Sequence, residues 1–194
     1  FSVTTLPATT IVAGNSTTFQ ITFNPSAGGV RRAIVSISNN DSNENPYDFD
    51  IQGAGLAPEI KFSGNGLVIQ DGDTTAMVAD NTDLGSADIV SGQTFAVFHI
   101  VNMGSSDLAL TGASPYISFT GAAASDFSLQ INPSSPIAAG DSTSFTVRFN
   151  PSVTGLRKAT LSVANSDTDE NPYNFTIQGT GTSFPEMEVK AGAI

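Results

Sequence analysis

The sequence predicts an all-β protein built of antiparallel β-sandwich domains in tandem, and three observations carry that prediction. Apolar and polar residues alternate with period two in a series of short runs, the mark of strands with one face in a core and the other in water. Gly, Pro, Asn, Asp and Ser gather between those runs, where turns need them. The third observation is a repeat: residues 1–55 read almost position for position like residues 127–181, at a constant offset of 126. Phe-Asn-Pro-Ser stands at 23–26 and again at 149–152, and Glu-Asn-Pro-Tyr at 44–47 and again at 170–173. Ile51-Gln52-Gly53-Ala54-Gly55 returns as Ile177-Gln178-Gly179-Thr180-Gly181. A period of this length points to whole domains in series rather than to a short-repeat solenoid.

The elements follow in order. Phe19, Ile21 and Phe23 alternate with polar residues, and the same ladder recurs as Phe145, Val147 and Phe149. Asn24-Pro25 ends the first ladder, because proline cannot donate to a sheet. Ala33, Val35 and Ile37 form the next run, answered by Ala159, Leu161 and Val163; Tyr47, Phe49 and Ile51 form another, answered by Tyr173, Phe175 and Ile177. Between the two copies the pattern gives strands at 59–63, 66–70, 83–89, 94–102, 108–111 and 116–120, separated by turn signals such as Gly64-Asn65-Gly66 and Asp71-Gly72-Asp73. Short alternating strands at this spacing, without a helical stretch, describe an immunoglobulin-like sandwich.

The repeat also sets the domain organisation. Residues 1–55 correspond to the rear half of one repeat, 56–181 to a complete repeat and 182–194 to the first strand of a following one, since Pro185-Glu186-Met187 matches Pro58-Glu59-Ile60. An isolated rear half leaves Phe19, Phe23, Val35, Phe49 and Ile51 without a partner face, at roughly 1.5 to 3 kcal/mol of lost burial each. The expectation is an excerpt of a longer chain, with strand donation between subunits as the alternative. Only residues 53–57 separate Ile51-Gln52 from Pro58, too few for a free tether, so consecutive domains should adopt a limited range of angles.

The ordered succession of Pro58-Glu59-Ile60, Asp71-Gly72-Asp73, Thr82-Asp83-Leu84-Gly85-Ser86, Ile100-Val101-Asn102-Met103-Gly104-Ser105, Phe149-Asn150-Pro151, Gly155-Leu156-Arg157, Asp169-Glu170-Asn171-Pro172-Tyr173 and Ile177-Gln178-Gly179-Thr180-Gly181 resembles the choice-of-anchor D repeat. That family is related to the ASH and major-sperm-protein-like domains of hydin and abnormal-spindle proteins. Leu84 stands where the family usually has Phe, and Ala76 where Pro is common. The resemblance implies an immunoglobulin-like sandwich in a long secreted bacterial protein, delivered by type IX secretion or another anchoring route.

Composition narrows the function. Lys and Arg number 7 against 18 Asp and Glu, a net charge of −11, which repels phosphate backbones and anionic lipid and argues against nucleic-acid or electrostatic membrane partners. No apolar run approaches a membrane span, and the absence of cysteine removes disulfides and thiol chemistry, as suits an extracellular protein. No catalytic or cofactor-binding residue is predicted. The single histidine, His99, lies between Phe98 and Ile100 on a strand and should face solvent; Asp48 and Asp50 read as the wet face of another strand. Neither a Gly-x-Ser-x-Gly elbow nor a phosphate-binding loop occurs.

One acidic constellation bears on metals. Asp167, Asp169, Glu170 and Asn171 supply oxygens in close succession, as do Asp41, Asn43 and Asn45, and hard cations such as calcium take six to eight oxygens. Pro46 and Pro172 occupy the position where an EF-hand needs glycine. If strand 66–70 returns toward the linker end, Asp71 and Asp73 meet Asp167 and Asp169 there, and calcium shared among these four is the one cation reading beside the expectation of no cofactor. Thr74 and Ser142 follow aspartate as in some bacterial O-glycosylation motifs, and Asn15, Asn40 and Asn174 open N-glycan sequons; all are read as exposed-loop markers. With no Trp, and with two of Tyr47, Tyr116 and Tyr173 expected in the core, an aromatic glycan platform is not evident.

The sequence is therefore read as a non-enzymatic spacer or adhesin stalk of a cell-surface protein. Its expected partners are neighbouring repeats of the same chain, then other surface proteins or glycans. A protein- or glycan-binding module and a self-assembling filament subunit are the alternatives.

Overall fold

Phe1–Ala57 form one compact unit of the computed structural model and the residues from Pro58 onward a second, with residues 1–184 described. The strand expected at 185–189 lies outside the described residues. The first unit contains β1 (Ser2–Thr5), β2 (Gln20–Thr22), β3 (Gly29–Ile37) and β4 (Tyr47–Gly55). β1 pairs antiparallel with β2, and β3 with β4.

The second unit contains β5 (Ile60–Gly64), β6 (Leu67–Ile69), β7 (Asp83–Asp88), β8 (Thr94–Asn102), β9 (Ile117–Thr120), β10 (Phe127–Ile131), β11 (Ser142–Phe149), β12 (Gly155–Val163) and β13 (Tyr173–Thr182). They form a sheet ordered β10-β11-β8-β5-β6 and a second ordered β7-β13-β12-β9. The faces turned inward supply one hydrophobic core. Phe62 sits at its centre, with ring centroids 4.6 Å from Tyr173, 5.5 Å from Phe175 and 6.2 Å from Phe145. Alternation along β8 follows the pattern read from sequence: Phe98 and Ile100 are buried and His99 is exposed.

Three details depart from expectation. Residues 108–111 form no strand but two isolated bridges, Leu108 to Ile137 and Leu110 to Asn165, because their partners come from a loop and a strand end rather than from a continuous ladder. β10 is not among the expected strands although Phe127, Leu129 and Ile131 alternate with Ser128 and Gln130 in period two, because the run is only five residues long and is followed at once by Asn132-Pro133. Finally, β7 runs parallel to β13, although every pairing was expected to be antiparallel. The connection from β6 leaves the edge of one sheet and reaches the edge of the other, touching β13 on the way at a parallel bridge between Asp73 and Phe175. It therefore delivers β7 in the direction of β13.

The sequence repeat extends to strand register. Ser2, Val3 and Thr5 face Thr22, Ile21 and Gln20; Ser128, Leu129 and Ile131 face Arg148, Val147 and Thr146, with the same irregularity at the same place. β3 and β4 pair from Gly29 with Gly55 to Ile37 with Tyr47, as β12 and β13 pair from Gly155 with Gly181 to Val163 with Tyr173. Even the ring pair recurs, Phe1 with Phe23 at 4.7 Å and Phe127 with Phe149 at 5.0 Å.

Burial separates the copies. Tyr173 and Phe175 are 3% and 1% exposed, whereas Tyr47 and Phe49 are 53% and 38% exposed. Tyr47 is thus not a core residue here, contrary to its pattern. The first unit has no counterpart of β5 to β9 to cover that face.

Two glycines fix close contacts in both copies. A Cβ on Gly179 would stand 2.4 Å from the Phe149 ring, and one on Gly53 would stand 2.7 Å from the Phe23 ring. Phe149 is fully buried while Phe23 is only half-buried, so its ring has less room to yield. Gly179→Ala is expected to cost about 1 to 3 kcal/mol, as overpacking does, with Gly53→Ala near zero; denaturant melts of the two variants check this.

Candidate functional site

The loop joining β12 to β13 is shaped by asparagine side chains. Asn165 donates from Nδ2 to the carbonyls of Val163 (3.2 Å) and Glu170 (2.9 Å), and its Oδ1 accepts the Asp167 N–H at 2.8 Å. Its own N–H donates to Asn171 Oδ1 at 3.0 Å. Asn39 makes the corresponding bonds to Ile37, Glu44, Asp41 and Asn45. Side-chain amides that satisfy loop backbone in this way hold a turn without help from a metal. Asn45 and Asn171 are accordingly loop-building residues.

Asp167 then ties the loop to the first strand of its unit. Its Oδ2 accepts the Ile60 N–H at 2.8 Å, and the side chain is almost fully buried. Glu59 precedes Ile60, so the tie draws a third acid toward Asp167 and Asp169. One carboxylate oxygen from each of Glu59, Asp167 and Asp169 lies within 4.8 Å of the others. Sequence reasoning had not included Glu59, although its place beside Pro58 at the start of a strand was a usable signal.

Asp71 and Asp73 reach the same end of the unit but are otherwise engaged. Asp71 Oδ1 accepts the Asn174 N–H at 2.7 Å, and Asp73 Oδ1 accepts the Thr75 N–H at 2.8 Å. The four-aspartate grouping expected from the sequence is replaced by Glu59, Asp167 and Asp169.

Electrostatics in this group are unfavourable. Partial burial pushes the Glu59 carboxyl up, helped by the charges of Asp167 and Asp169. Burial also raises Asp167, and it raises Glu170, to which the charges of Glu59, Asp167, Asp71 and Asp169 add. Glu170 Oε2 is buried without a hydrogen-bond partner among the described residues. Nearby, burial and the charges of Glu170 and Asp71 push the Tyr173 hydroxyl up to about 12, so it stays protonated and donates to the Ile69 carbonyl at 2.6 Å.

A carboxyl raised in the folded state binds its proton more tightly there than in the unfolded chain. Its penalty is fully present at neutral pH, shrinks as pH falls through the raised value and is gone below the unfolded value. The melting temperature is therefore expected to rise as pH falls from 7 toward the ordinary values of 4.5 for Glu and 3.8 for Asp. Asp88 works oppositely: the N–H groups of Val90, Ser91 and Phe184 depress it, so its contribution is lost only as pH falls below 3.8. Asp169→Asn should raise the melting temperature at pH 7 and flatten the pH dependence; calorimetry across pH 4 to 8 tests both.

The remaining candidates are scattered. His99, Asp48 and Asp50 are exposed on strands. Thr74 is exposed, and Asn15 and Asn40 lie outside strands, but Ser142 belongs to β11 and Asn174 to β13, where Asn174 Nδ2 donates to the Pro172 carbonyl at 3.0 Å. For these two the loop-marker reading is corrected: β11 begins three residues before the ladder read from Phe145, and Asn174 falls inside the strand that the alternation of Tyr173, Phe175 and Ile177 already marks. No helix among the described residues is long and apolar enough to cross a membrane.

Comparison with known proteins places this geometry. Residues 76–180 match the family model described as HYDIN/CFA65/VesB-like, Ig-like domain. No curated protein sequence matches the chain. Among solved structures, a protein of unknown function from Porphyromonas gingivalis W83 is similar at 13% identity and a TM-score of 0.45, over 92% of this chain and 83% of that one. The ASH/PapD-like domain 7 of human CEP192 is similar at 14% identity and a TM-score of 0.39, over 54% of this chain and 84% of that one. The Vibrio cholerae VesB protease is similar at 18% identity and a TM-score of 0.36, over 52% of this chain and 31% of that one.

Proposed function

The chain belongs to the HYDIN/CFA65/VesB-like Ig-like domain family, and from that premise we propose that it is a non-enzymatic structural segment, a spacer or adhesin stalk made of tandem choice-of-anchor D repeats in a bacterial cell-surface protein. The observation that carries this reading is the recurrence, at an offset of 126 residues, of the same strand registers in both units. A run of four strands reproduced in register, down to an irregularity between two of them, is what a chain gains by lengthening itself with copies of one module. The partners of such a segment are its neighbouring repeats. Its acidic, cysteine-free composition supports an extracellular setting.

The segment works without a cofactor in this reading. Glu59, Asp167 and Asp169 are a repulsive group at a loop that asparagine already shapes. Melting in calcium against chelator separates the two cases, with no shift for a metal-free loop and a rise that Asp169→Asn abolishes for a bound cation.

Chains carrying two, three and four copies of residues 56–181 provide the main test. Small-angle scattering should show the maximum dimension growing by a constant increment per copy. A dimension that fails to grow removes the spacer role, and saturable binding of the same chains to glycan or surface protein selects the binding-module alternative.

A further inference from the structure

One turn of the second unit carries a chemistry that the spacer role leaves unused. Asn65 and Gly66 join β5 to β6 in a two-residue hairpin with φ of 50° and 79°, the left-handed turn that Asn-Gly favours. Both residues are exposed, and a Cβ on Gly66 would meet nothing within 4 Å. Asn65 Nδ2 donates to the Ala79 carbonyl at 3.1 Å. Ala79 lies in the connection that carries the chain from β6 in one sheet to β7 in the other.

Hairpin tip and connection pack closely. A Cβ on Gly64 would stand 1.8 Å from the Asp80 carbonyl oxygen, so backbone lies on backbone there. Asn81 Nδ2 donates to the Val97 carbonyl of β8 at 3.2 Å. Two side-chain amides, those of Asn65 and Asn81, thus fasten residues 79–81 to the five-stranded sheet. Asp80 between them is buried; its Oδ1 accepts the Thr82 N–H and hydroxyl, while its Oδ2 has no hydrogen-bond partner among the described residues. A carboxylate at position 65 would turn an oxygen toward the Ala79 carbonyl, next to a carboxyl already buried.

Of the fourteen asparagines in the chain, five precede proline, whose nitrogen has no hydrogen to lose, and Asn65 alone precedes glycine. Without a Cβ, glycine lets its nitrogen approach the preceding side chain most freely. We propose that Asn65 is a spontaneous modification site whose conversion releases residues 77–82 from the hairpin tip. The Gly66 nitrogen loses its proton and attacks Asn65 Cγ, the Cγ–Nδ2 bond breaks, and ammonia departs from a five-membered succinimide. Water then opens the ring, at Cγ to give aspartate or at the backbone carbonyl to give isoaspartate. Amide and water become carboxylate and ammonium, so the step needs neither oxidant nor cofactor. Either product lacks the donor to Ala79, and isoaspartate also adds a methylene to a two-residue turn.

Ageing the full 194-residue chain at pH 9 and at pH 5, followed by peptide mapping, tests the site. Position 65 should convert before every other asparagine and faster at pH 9, giving both aspartate and isoaspartate; another asparagine converting ahead of it overturns the assignment. Hydrogen exchange in fresh Asn65→Asp and Asn65→Gly chains tests the release, since both substitutes tolerate positive φ. The Met77, Thr82 and Asp83 amides, bonded within the connection, should exchange roughly 2- to 10-fold faster, as loss of one hydrogen bond allows, while Ala159 and Leu161 of β12 stay unchanged. Exchange equal to that of the parent chain overturns the release, and acceleration that extends to β12 overturns its local character.

Discussion

Asn102→Asp is expected to destabilise the second unit by about 4 kcal/mol or more at pH 7, although the two side chains are nearly the same shape. Asn102 is fully buried at the end of β8. Its Nδ2 donates to the carbonyls of Ser106 (2.8 Å) and Ile137 (3.0 Å), and its Oδ1 accepts the N–H groups of Gly104 (3.0 Å) and Glu59 (3.3 Å). All four of its hydrogen-bonding positions are filled, so the side chain fastens the start of β5, the loop after β8 and residue 137 together. Aspartate keeps both acceptor contacts but turns a second oxygen toward two carbonyls and buries a charge. The loss should shrink as pH is lowered through the titration of the introduced carboxyl, because its protonated form recovers one donor. Chemical denaturation at pH 7 and pH 4.5 measures both effects, and a pH-independent loss would assign Asn102 to shape alone.

Arg157→Met should cost about 3 to 5 kcal/mol, since it leaves Asp126 buried and unpaired. Asp126→Asn should cost less, and the double variant less than the sum of the two, because removing both charges removes the uncompensated desolvation. Arg31→Met supplies the internal control: at the same position in the repeat it is exposed and should change stability by under about 0.5 kcal/mol. Equal losses at Arg157 and Arg31 would show that the pair with Asp126 contributes nothing.

Strand identity was largely legible because the inward residues obey period two. Phe98, His99 and Ile100 alternate as read, and the run from Tyr173 to Ile177 turns every second side chain inward. Pairing direction was not legible: nothing in the residues of β7 distinguishes an antiparallel from a parallel neighbour, and the answer depends on where the preceding loop crosses between sheets. The exposure of Tyr47 was equally hidden, since its local pattern matches that of Tyr173 and only the absence of covering strands differs. At the acidic loop the sequence marked Asp167 and Asp169 because oxygens recur there. It did not mark Glu59, 108 residues away from Asp167, because the bond that brings it close is made by the backbone N–H of Ile60.

The parallel pairing of β7 with β13 determines how the second unit meets a pulling force. Tension drawn from its two ends acts on β7 toward its start and on β13 toward its finish. In a parallel pair those directions oppose each other along the strand axis, so the hydrogen bonds from Asp83–Gln178 to Asp88–Thr182 are loaded together in shear. β5 faces β8 in antiparallel register with Ile60 opposite Asn102, and its leading end is held by the Glu59 and Ile60 N–H groups on Asn102 and Asp167. Among the described residues β7 with β13 is the one parallel strand pair, and it is expected to carry much of the unit's resistance to stretching.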